Sequence, residues 1–494
     1  MIDRIVSNRA HPASEAHRAE ALEMRRGWLL AIAILAIVSP MAQAQVTNAG
    51  TQPSQQVTLE QALQYAVDHY PSVKAALEQV NASSAQITIA RGAYLPRFDS
   101  LWQTNRATAN NVFGQLLPQS VLPSISGPVL ATSTSESVWG SATGGLLSWE
   151  PFDLGLRSAV VREAEAELAR DRAQQGLTRL SVQNAVGMAF LGIVAAQQAV
   201  TAADADVERR DVLARAARTL ADNQLRPGAE ASRAEAELAV ARTRAIQARQ
   251  VLTIAQTTFG QMLGMADGTM GIDAGRLLES APQGSQAHAG VQQHPLVQSG
   301  QASIDLAQSR ETVLARTDRP RVYVQSSVFA RGTGANPDGQ FDGSADGLGL
   351  DRANWAAGVQ VIFPNLFDFS TLHARRAAAG ALTRAERARY DEAVLTVSSQ
   401  QRTADAVLDA ARAIAQNTPI QLAAAQQSEA QARARYQAGL ASIVEVAEAQ
   451  NLLAGAEYQN AVARVDVWRA LLSLAVANGT VASFIDQLRT SGVQ

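Results

Sequence analysis

Residues 70–98, YPSVKAALEQVNASSAQITIARGAYLPRF, return in altered form at residues 294–322 as HPLVQSGQASIDLAQSRETVLARTDRPRV. Each stretch begins with an aromatic residue and a proline, Pro71 in the first and Pro295 in the second, which gives an offset of 224 residues (295 − 71). A second proline follows each of these after 25 residues (96 − 71 and 320 − 295). This repeated pattern predicts an internal duplication, which decides the architecture before any local motif is considered.

The duplication continues along the chain at a nearly constant spacing. PFDLGLRSAVVREAEAE (151–167) corresponds to PNLFDFSTLHARRAAAG (364–380), with Phe152 and Phe367 at an offset of 215 (367 − 152). The same offset joins four later pairs: Glu230 and Glu445, Ala234 and Ala449, Leu238 and Leu453, and Gly264 and Gly479. We therefore expect these divisions: repeat one at 45–265, a linker or equatorial segment at 266–294, repeat two at 295–479, and a C-terminal tail at 480–494.

The composition favours long helices over ordinary globular domains. Aromatic residues make up only 5% of the 494 residues, and alanine, glutamine, glutamate, arginine and leucine, all good helix formers, are abundant. The net charge of −3 gives no reason to expect a nucleic-acid partner. The chain has no cysteine, and its six histidines are scattered. We therefore expect no metal site, cofactor or catalytic residue, and hence no enzyme.

The N-terminus has the features of a targeting segment. Arg25 and Arg26 precede the apolar run WLLAIAILAIV (28–38), and an Ala-Gln-Ala sequence ends at Ala44. This pattern predicts a signal peptide over 1–44. Met24 is a candidate for the true start, since the polar stretch before the apolar run is unusually long. We expect no membrane-spanning helix in the rest of the chain.

Each repeat reads as a helix, two strands around a loop, a very long helix, a break and a shorter helix. In repeat one we expect the first helix at 71–94 and strands near 97–105 and 138–151. The long helix covers about 156–224, or ~100 Å at 1.5 Å per residue, and the last helix about 229–264. The corresponding strands of repeat two are 321–329 and 354–363, and its helices, near 370–439 and 443–479, have the same lengths. The two shorter helices of a repeat together match the long one, which predicts that they stack end to end beside it.

Neither the helices nor the strands complete a structure within one chain. A long amphipathic helix buries its apolar stripe only by lateral packing, and four strands cannot close a barrel, although open edges are not tolerated in lipid. Three chains would supply twelve strands, within the range of outer-membrane barrels. Four tryptophans lie in the strand segments and suit an interfacial aromatic girdle: Trp102, Trp139, Trp149 and Trp355. The alternative is that they form the core of a soluble sheet.

The ordered set of motifs resembles the TolC-like family of outer-membrane efflux and secretion channels. The motifs are the opening LEQA (59–62) with its later proline, the junctions PFDLG (151–155) and PNLFDF (364–369), and the break RYQAGLASIVEVAEAQNLL (435–453). The resemblance covers about residues 57–479. It implies a mainly α fold in which a homotrimer forms a twelve-stranded membrane β-barrel, continued by a twelve-helix coiled-coil tunnel through the periplasm. A small equatorial domain would surround the tunnel, formed by 45–56, 266–294 and 480–494.

The same resemblance implies a passive exit duct in the outer membrane of a Gram-negative bacterium. The implied partners are outer-membrane lipid, a periplasmic adaptor (membrane fusion) protein and an inner-membrane pump of the RND or ABC type. Drugs, secreted proteins and metals all leave through such ducts, and the sequence does not choose among these cargoes. Two alternatives are a structural coiled-coil protein of the periplasm or cell surface and a diffusion porin; the high helix content disfavours the porin.

Glu445 and Glu448 lie three residues apart, just after the second break, so that one face of a helix presents both carboxylates. The resemblance implies that they form acidic rings at the periplasmic aperture, where six carboxylates from three chains would select cations. The alternative is a solvated first helical turn in which glutamate complements the helix dipole.

Tyr436 matches a family tyrosine that holds neighbouring coils together at the aperture, and Glu230 is its expected hydrogen-bond acceptor. Ala441 stands where the family usually has an arginine, so one typical gate contact is missing. Tyr436 as a simple packing residue is an equally open alternative.

Glycine and proline mark the two breaks differently. Gly439 is expected to allow the second chain reversal, whereas its counterpart is Gln224 and the first reversal is expected slightly later, at Pro227 and Gly228. Pro419 falls inside the second long helix and is expected to kink or break it.

Overall fold

The computed structural model describes residues 56–111, 115–122, 129–131, 133–265, 271–278, 289–335, 345–364 and 367–490. The predicted signal peptide lies outside these residues. Repeat one contains the following elements: α2 (Pro71–Gly92), β1 (Arg97–Thr108), β2 (Ser137–Phe152), α3 (Leu156–Asp222) and α4 (Gly228–Met262). Repeat two contains their counterparts: α5 (Pro295–Leu314), β3 (Arg321–Thr333), β4 (Arg352–Ile362), α6 (Phe369–Gln437) and α7 (Ile443–Ala477). The predicted order of elements is thus confirmed in both copies.

Two of the helices were not predicted from the sequence. Helix α1 (Leu59–His69) begins at a capping box between Thr58 and Gln61 and packs on α3. Helix α8 (Ala482–Thr490) follows α7 and packs on it. A single parallel bridge also joins Val57 to Ile272. Parts of the opening, linker and tail segments therefore meet the helical bundle at one level of the chain.

The four strands form one antiparallel sheet in the order β1-β2-β3-β4. Pairing places Trp102 opposite Thr143, and Trp355 opposite Val328, which itself lies opposite Gly145. Because side chains alternate between the faces of a strand, Trp102 and Trp355 share a face with the odd-numbered residues of β2. All four strand tryptophans therefore lie on one face of the sheet.

The tryptophan face exposes the large apolar side chains, and the opposite face is more polar, apart from a small buried cluster of Leu101, Ala142 and Phe329 with Leu122. Trp102 is 72% exposed and Trp355 is 79% exposed, and other large exposed residues lie on the same face: Phe98, Leu147, Val324, Val359 and Val361. The opposite face carries polar side chains in the same register: Gln103, Asn105, Ser327, Arg331 and Arg352. The sheet is thus amphipathic, with its apolar side exposed, which disagrees with a soluble-core role for the tryptophans.

The shorter helices stack end to end beside each long helix, as predicted. Both α2 and α4 pack along α3, and both α5 and α7 pack along α6. The end of α4 meets the start of α2, where a Cβ built on Gly264 would lie 3.9 Å from Cδ of Pro71. The end of α7 meets the start of α5 in the same way, with Gly479 against Pro295. We call these contacts the first and second joints.

The main core lies where α3 packs against α7 and α1. Its largest fully buried members are Trp468, Phe190 and Phe484, and Phe190 meets Phe259 edge to face with centroids 5.6 Å apart. Helix α3 contains an eighteen-residue window that is apolar enough to cross a membrane by length and composition, and 44% of that window is buried inside the fold. The expectation that no helix spans the membrane stays a prediction.

The break predicted at Pro419 is also wrong. Helix α6 continues from Phe369 to Gln437 with Pro419 inside it. Proline removes one hydrogen bond and crowds the carbonyl four residues earlier, but α6 is supported along its length by α5 and α7. A bend at Pro419 stays a prediction.

Candidate functional site

The two chain reversals between long and short helices have the same backbone. Gln224 adopts φ 57° and Gly439 adopts φ 76°, and each lies in a Schellman motif. In the first, the N–H of Leu225 donates to the carbonyl of Leu220 at 2.9 Å; in the second, that of Leu440 donates to Arg435 at 2.8 Å. The expectation that the first reversal lies at Pro227 and Gly228 was therefore wrong.

Pro227 and Gly228 instead begin the next helix. Pro227 is the N-cap of α4, and Gly228 is its first residue. The position of Pro227 matches the preference of proline for the start of a helix. The left-handed residue of the first turn is Gln224, an unusual choice because a side chain disfavours this conformation.

Tyr436 connects the two turns. It is 5% exposed, and its hydroxyl donates a hydrogen bond to Oε2 of Glu230 at 3.1 Å. Arg226 lies over the Tyr436 ring, 5.1 Å from its centroid, and donates to the Tyr436 carbonyl at 3.3 Å. The structure thus brings together the two residues that the sequence paired, and adds Arg226, which the sequence reasoning missed.

Burial raises the pKa of Tyr436, and the hydrogen bond to Glu230 and the charge of that carboxylate raise it further. The phenol therefore remains protonated as a donor throughout the physiological range. Its ring packs in a small apolar cluster with side chains from both helical pairs: Ala214, Ala217, Ala234, Leu238, Ala441, Ile443 and Val446. Ala441, which replaces the usual family arginine, is buried in this cluster.

Glu445 has a local structural role as well as an exposed position. Ser442 caps α7, and Glu445 completes the capping box by accepting from the Ser442 N–H at 3.5 Å. Its Oε2 also lies 3.4 Å from Nη1 of Arg435. The observation supports the simple helix-start interpretation for one chain, but both Glu445 and Glu448 remain exposed. Both are available to face other copies of the chain.

A buried ion pair at the junction of β2 and α3 was also missed from the sequence. Asp153 accepts from the N–H of Gly155 at 2.9 Å and from Nε of Arg157 at 3.0 Å. Burial alone would raise the pKa of Asp153, but these hydrogen bonds together hold it below its usual value. Arg157 also donates to the carbonyl of Ala93 at 3.1 Å. The pair therefore fixes the strand-to-helix junction in the PFDLG motif.

The four strand tryptophans are spread along the sheet, with Trp149 and Trp139 near its two ends. Trp149 donates through Nε1 to the carbonyl of Tyr94 at 3.1 Å, near the start of β1. Arg106 lies 5.6 Å from the centroid of Trp139, near the other end of that strand. Trp102 and Trp355 lie between these levels. Within the described residues, no group of three or more histidine or acidic side chains is arranged to hold a metal ion.

The family model for outer membrane efflux proteins matches residues 62–265 and 289–480. The two matched segments cover most of the chain and coincide closely with its two repeats. The chain belongs to the outer membrane efflux protein family. It is therefore an outer-membrane channel protein that extends into the periplasm of a Gram-negative bacterium, and the structural coiled-coil alternative is set aside.

The relatives agree with this assignment. Protein CyaE of Bordetella pertussis is 26% identical over 445 residues, covering 87% of this chain and 86% of the relative. The outer membrane protein VceC of Vibrio cholerae has a TM-score of 0.68 at 16% identity, covering 85% of this chain and 96% of VceC. CusC, a transmembrane channel protein, has a TM-score of 0.71 at 13% identity, with 88% and 96% coverage. These structural likenesses show a shared fold.

Proposed function

We propose that three copies of this chain form a gated exit duct across the outer membrane. The observation that carries the proposal is the amphipathic sheet, in which β1 and β4 each pair with a strand on one side only, as far as the described residues go. If β4 of one copy pairs with β1 of the next, the backbone groups of both open edges gain hydrogen-bond partners, and the exposed apolar face can lie against lipid. Three four-stranded sheets then give a twelve-stranded barrel with lipid outside and a polar lumen.

The exposed apolar residues of the helices support the same assembly. Helix α4 exposes Val240, Ile246, Val251 and Ile254, and α6 exposes Leu382, Leu395, Val407 and Ile414. In the single chain α3 contacts α7, while α4 and α6 flank this pair. Packing α4 of one copy against α6 of the next covers both surfaces and closes a tunnel of twelve helices.

The contact between Tyr436 and Glu230 is proposed as the closed state of the periplasmic gate. It joins the α6–α7 pair to the first turn of α4, beside a cluster of eight buried residues, four of them alanine. Separating so small a cluster exposes less apolar surface than separating the main core would. We call the ends of the two helical pairs next to the turns at Gln224 and Gly439 the tips. The hydrogen bond and the Arg226 contact hold the tips together, and breaking these contacts opens the aperture.

Glu445 and Glu448 are proposed to form the acidic rings of the aperture. They follow the turn at Gly439 directly, and Glu448 makes no hydrogen bond or ion pair among the described residues of one chain. Three chains would bring six such carboxylates to the mouth, where they attract cations. A periplasmic adaptor and an inner-membrane pump, of RND or ABC type, would dock at this end, and cargo choice would lie with them.

Planar-bilayer recording with purified protein tests the duct and the rings. We expect cation-selective channels, formed by particles whose mass in native mass spectrometry is that of three chains. Glu445→Gln with Glu448→Gln should reduce the cation selectivity, whereas Glu165→Gln, an exposed carboxylate paired with Arg91 near the other end of α3, should leave it unchanged. Absence of channels contradicts the duct; anion selectivity in the unaltered protein contradicts the rings.

A further inference from the structure

Arg210 of α3 is the most deeply buried charged side chain among the described residues, with 1% of its side chain exposed. Its Nε lies 3.0 Å from both carboxylate oxygens of Asp206 on the same helix. Its Nη1 donates to Glu237 of α4 and its Nη2 to Asn451 of α7, both at 2.9 Å. One guanidinium therefore ties three helices together, and we call this set of four residues the polar lock.

Two neighbouring contacts reinforce the polar lock. Arg209 of α3 makes a two-pronged ion pair with Glu457 of α7, at 2.6 and 3.0 Å. Arg244 of α4 also donates to Oδ1 of Asn451, at 3.3 Å. Planar, two-pronged arginine contacts of this kind fix geometry more strongly than a single ion pair does. The helices of repeat one are thus fastened to α7 at one level.

That level separates two parts of the bundle with different packing. Arg210 precedes the turn residue Gln224 by 14 positions (224 − 210), or about 21 Å along the helix. Above it, the main core extends on α3 down to Ala195 and contains Phe190 and Trp468. Below it lies the small cluster around Tyr436, in which four of the eight buried members are alanine. Separating the helices below the polar lock therefore exposes less apolar surface than separating them at the main core.

The duplication shows that the polar lock is a feature of one repeat only. The counterpart of Arg210 is Ala425 (210 + 215), which is 1% exposed and packs with Leu453 and Ala456. The counterpart of Glu237 is Leu452. The same buried position thus carries a charge in repeat one and a methyl group in repeat two. At this level the buried guanidinium that reaches the other helical pair comes from α3.

We propose that Arg210 is a positioning residue that sets the pivot of the gate. This inference rests on the proposed gated duct. When the Tyr436 contact is broken, the tips below the polar lock separate, while α3, α4 and α7 stay together at the level of Arg210 and above. The lock therefore fixes the length of the moving segment and hence the width of the open aperture.

The first test removes the contacts of this level with α7 and leaves the rest of the lock in place. Asn451→Leu with Glu457→Ala removes the partners of Arg210 and Arg209 on α7. Arg210 then stays paired with Asp206 and Glu237, and the next firm contact with α7 is the core at Ala195. The moving segment lengthens from about 21 Å to about 44 Å. In bilayers, adding these two changes to Tyr436→Phe should raise the conductance about twofold over Tyr436→Phe alone, since tip displacement scales with this length.

A matched control removes an ion pair that does not reach α7. Arg242 of α4 pairs with Asp211 of α3 at 3.1 Å on the surface, so Tyr436→Phe with Arg242→Ala should conduct as Tyr436→Phe does. A purely structural role for Asn451 and Glu457 would change thermal stability but leave open-channel conductance unaltered. Equal conductance with and without Asn451→Leu and Glu457→Ala would overturn the proposal.

Cross-linking tests the pivot directly, because the chain has no native cysteine. A short bismaleimide between Cys residues at positions 230 and 436 should return conductance to that of the unaltered protein. The same reagent between positions 209 and 457, in Tyr436→Phe protein, should leave conductance high. Closure by the 209–457 link would overturn the pivot. Channels that never form, in any variant, would contradict the proposed duct instead.

Discussion

The two repeats share a backbone plan, yet different contacts hold each of them in place. Their turns have the same Schellman geometry, and both short helices meet end to end at a glycine with positive φ. Repeat one has the buried Arg210 contacts, where repeat two has Ala425. Repeat two has the tighter joint, where Gly479 lies close against His294 and Pro295. Both repeats thus keep the same backbone arrangement, but the side chains that hold their helices in place differ.

The largest expected effect comes from the polar lock. Arg210→Ala leaves Asp206 and Glu237 without their buried partner, and breaking such a pair costs about 3–5 kcal/mol. Arg249→Ala, which removes an exposed α3–α4 ion pair with Asp204, should cost less than about 1 kcal/mol. Thermal unfolding in detergent, followed by circular dichroism, measures both. Equal shifts would show that the buried contacts of Arg210 contribute no more to stability than an exposed ion pair does.

The joints should respond unequally to the same substitution. In the second joint a Cβ on Gly479 would lie 2.8 Å from Cδ of Pro295 and 3.1 Å from Cα of His294. Gly479→Ala should cost about 2–4 kcal/mol, combining left-handed backbone strain with overlap. Gly264→Ala, with nothing nearer than 3.9 Å, should cost only the strain, about 1–2 kcal/mol. Comparable losses of thermal stability would contradict a tighter second joint.

The turns should respond in opposite directions to exchanged residues. Gln224→Gly relieves a left-handed conformation and should stabilise the protein by about 0.5–1 kcal/mol, after allowance for glycine entropy. Gly439→Gln should destabilise it by about 1 kcal/mol. Thermal unfolding again provides the measurement. Destabilisation by Gln224→Gly would mean that the glutamine side chain contributes a contact in the assembled protein.

The smallest expected effect is a dependence on pH that belongs to the second joint alone. His294 caps α5 by accepting from the N–H of Leu296 at 3.1 Å, and its Nε2–H donates to the Val476 carbonyl at 3.2 Å. Both ring nitrogens are thus used by the neutral form. Burial lowers the pKa of His294 below the ordinary value of 6.5, although the Val476 contact raises it slightly. The counterpart in the first joint, Tyr70, makes no side-chain cap.

The unfolded chain therefore binds more protons than the folded one once the pH falls below about 6.5, and stability should decline on acidification. His294→Asn keeps a capping side chain but does not titrate, so it should flatten this decline. His373→Asn, at an exposed position of α6, should leave it as it is. A melting temperature of unaltered protein that does not fall between pH 7 and 5 would contradict this role of His294.

Elements with a strong periodic signal could be predicted from the sequence. The duplication, the four strands, the long helices and their end-to-end stacking all follow from proline spacing and equal element lengths. The pairing of Tyr436 with Glu230 also emerged, because the resemblance supplied the tyrosine and the repeat offset supplied its acceptor. Residues that recur at a fixed spacing can thus be identified from the sequence before the fold is known.

Contacts that depend on three-dimensional neighbours were not predictable in this way. Gln224 was missed because a left-handed turn usually requires glycine, and a proline-glycine pair lay nearby. Arg210 was missed because arginine on a helix is normally exposed, and its partners lie 27 and 241 positions away. The capping role of Glu445 needed the observed start of α7. Pro419 misled because propensity ignores support from flanking helices.

The most direct test of the account is the single-channel conductance of Tyr436→Phe in planar bilayers. This change removes only the hydroxyl that donates to Glu230 and keeps the ring that packs against Arg226. Tyr458→Phe, at a half-exposed position of α7, is the matched control. The account predicts higher conductance for Tyr436→Phe and no change for Tyr458→Phe. Conductance of Tyr436→Phe equal to that of the unaltered protein would contradict a gate held closed by this contact.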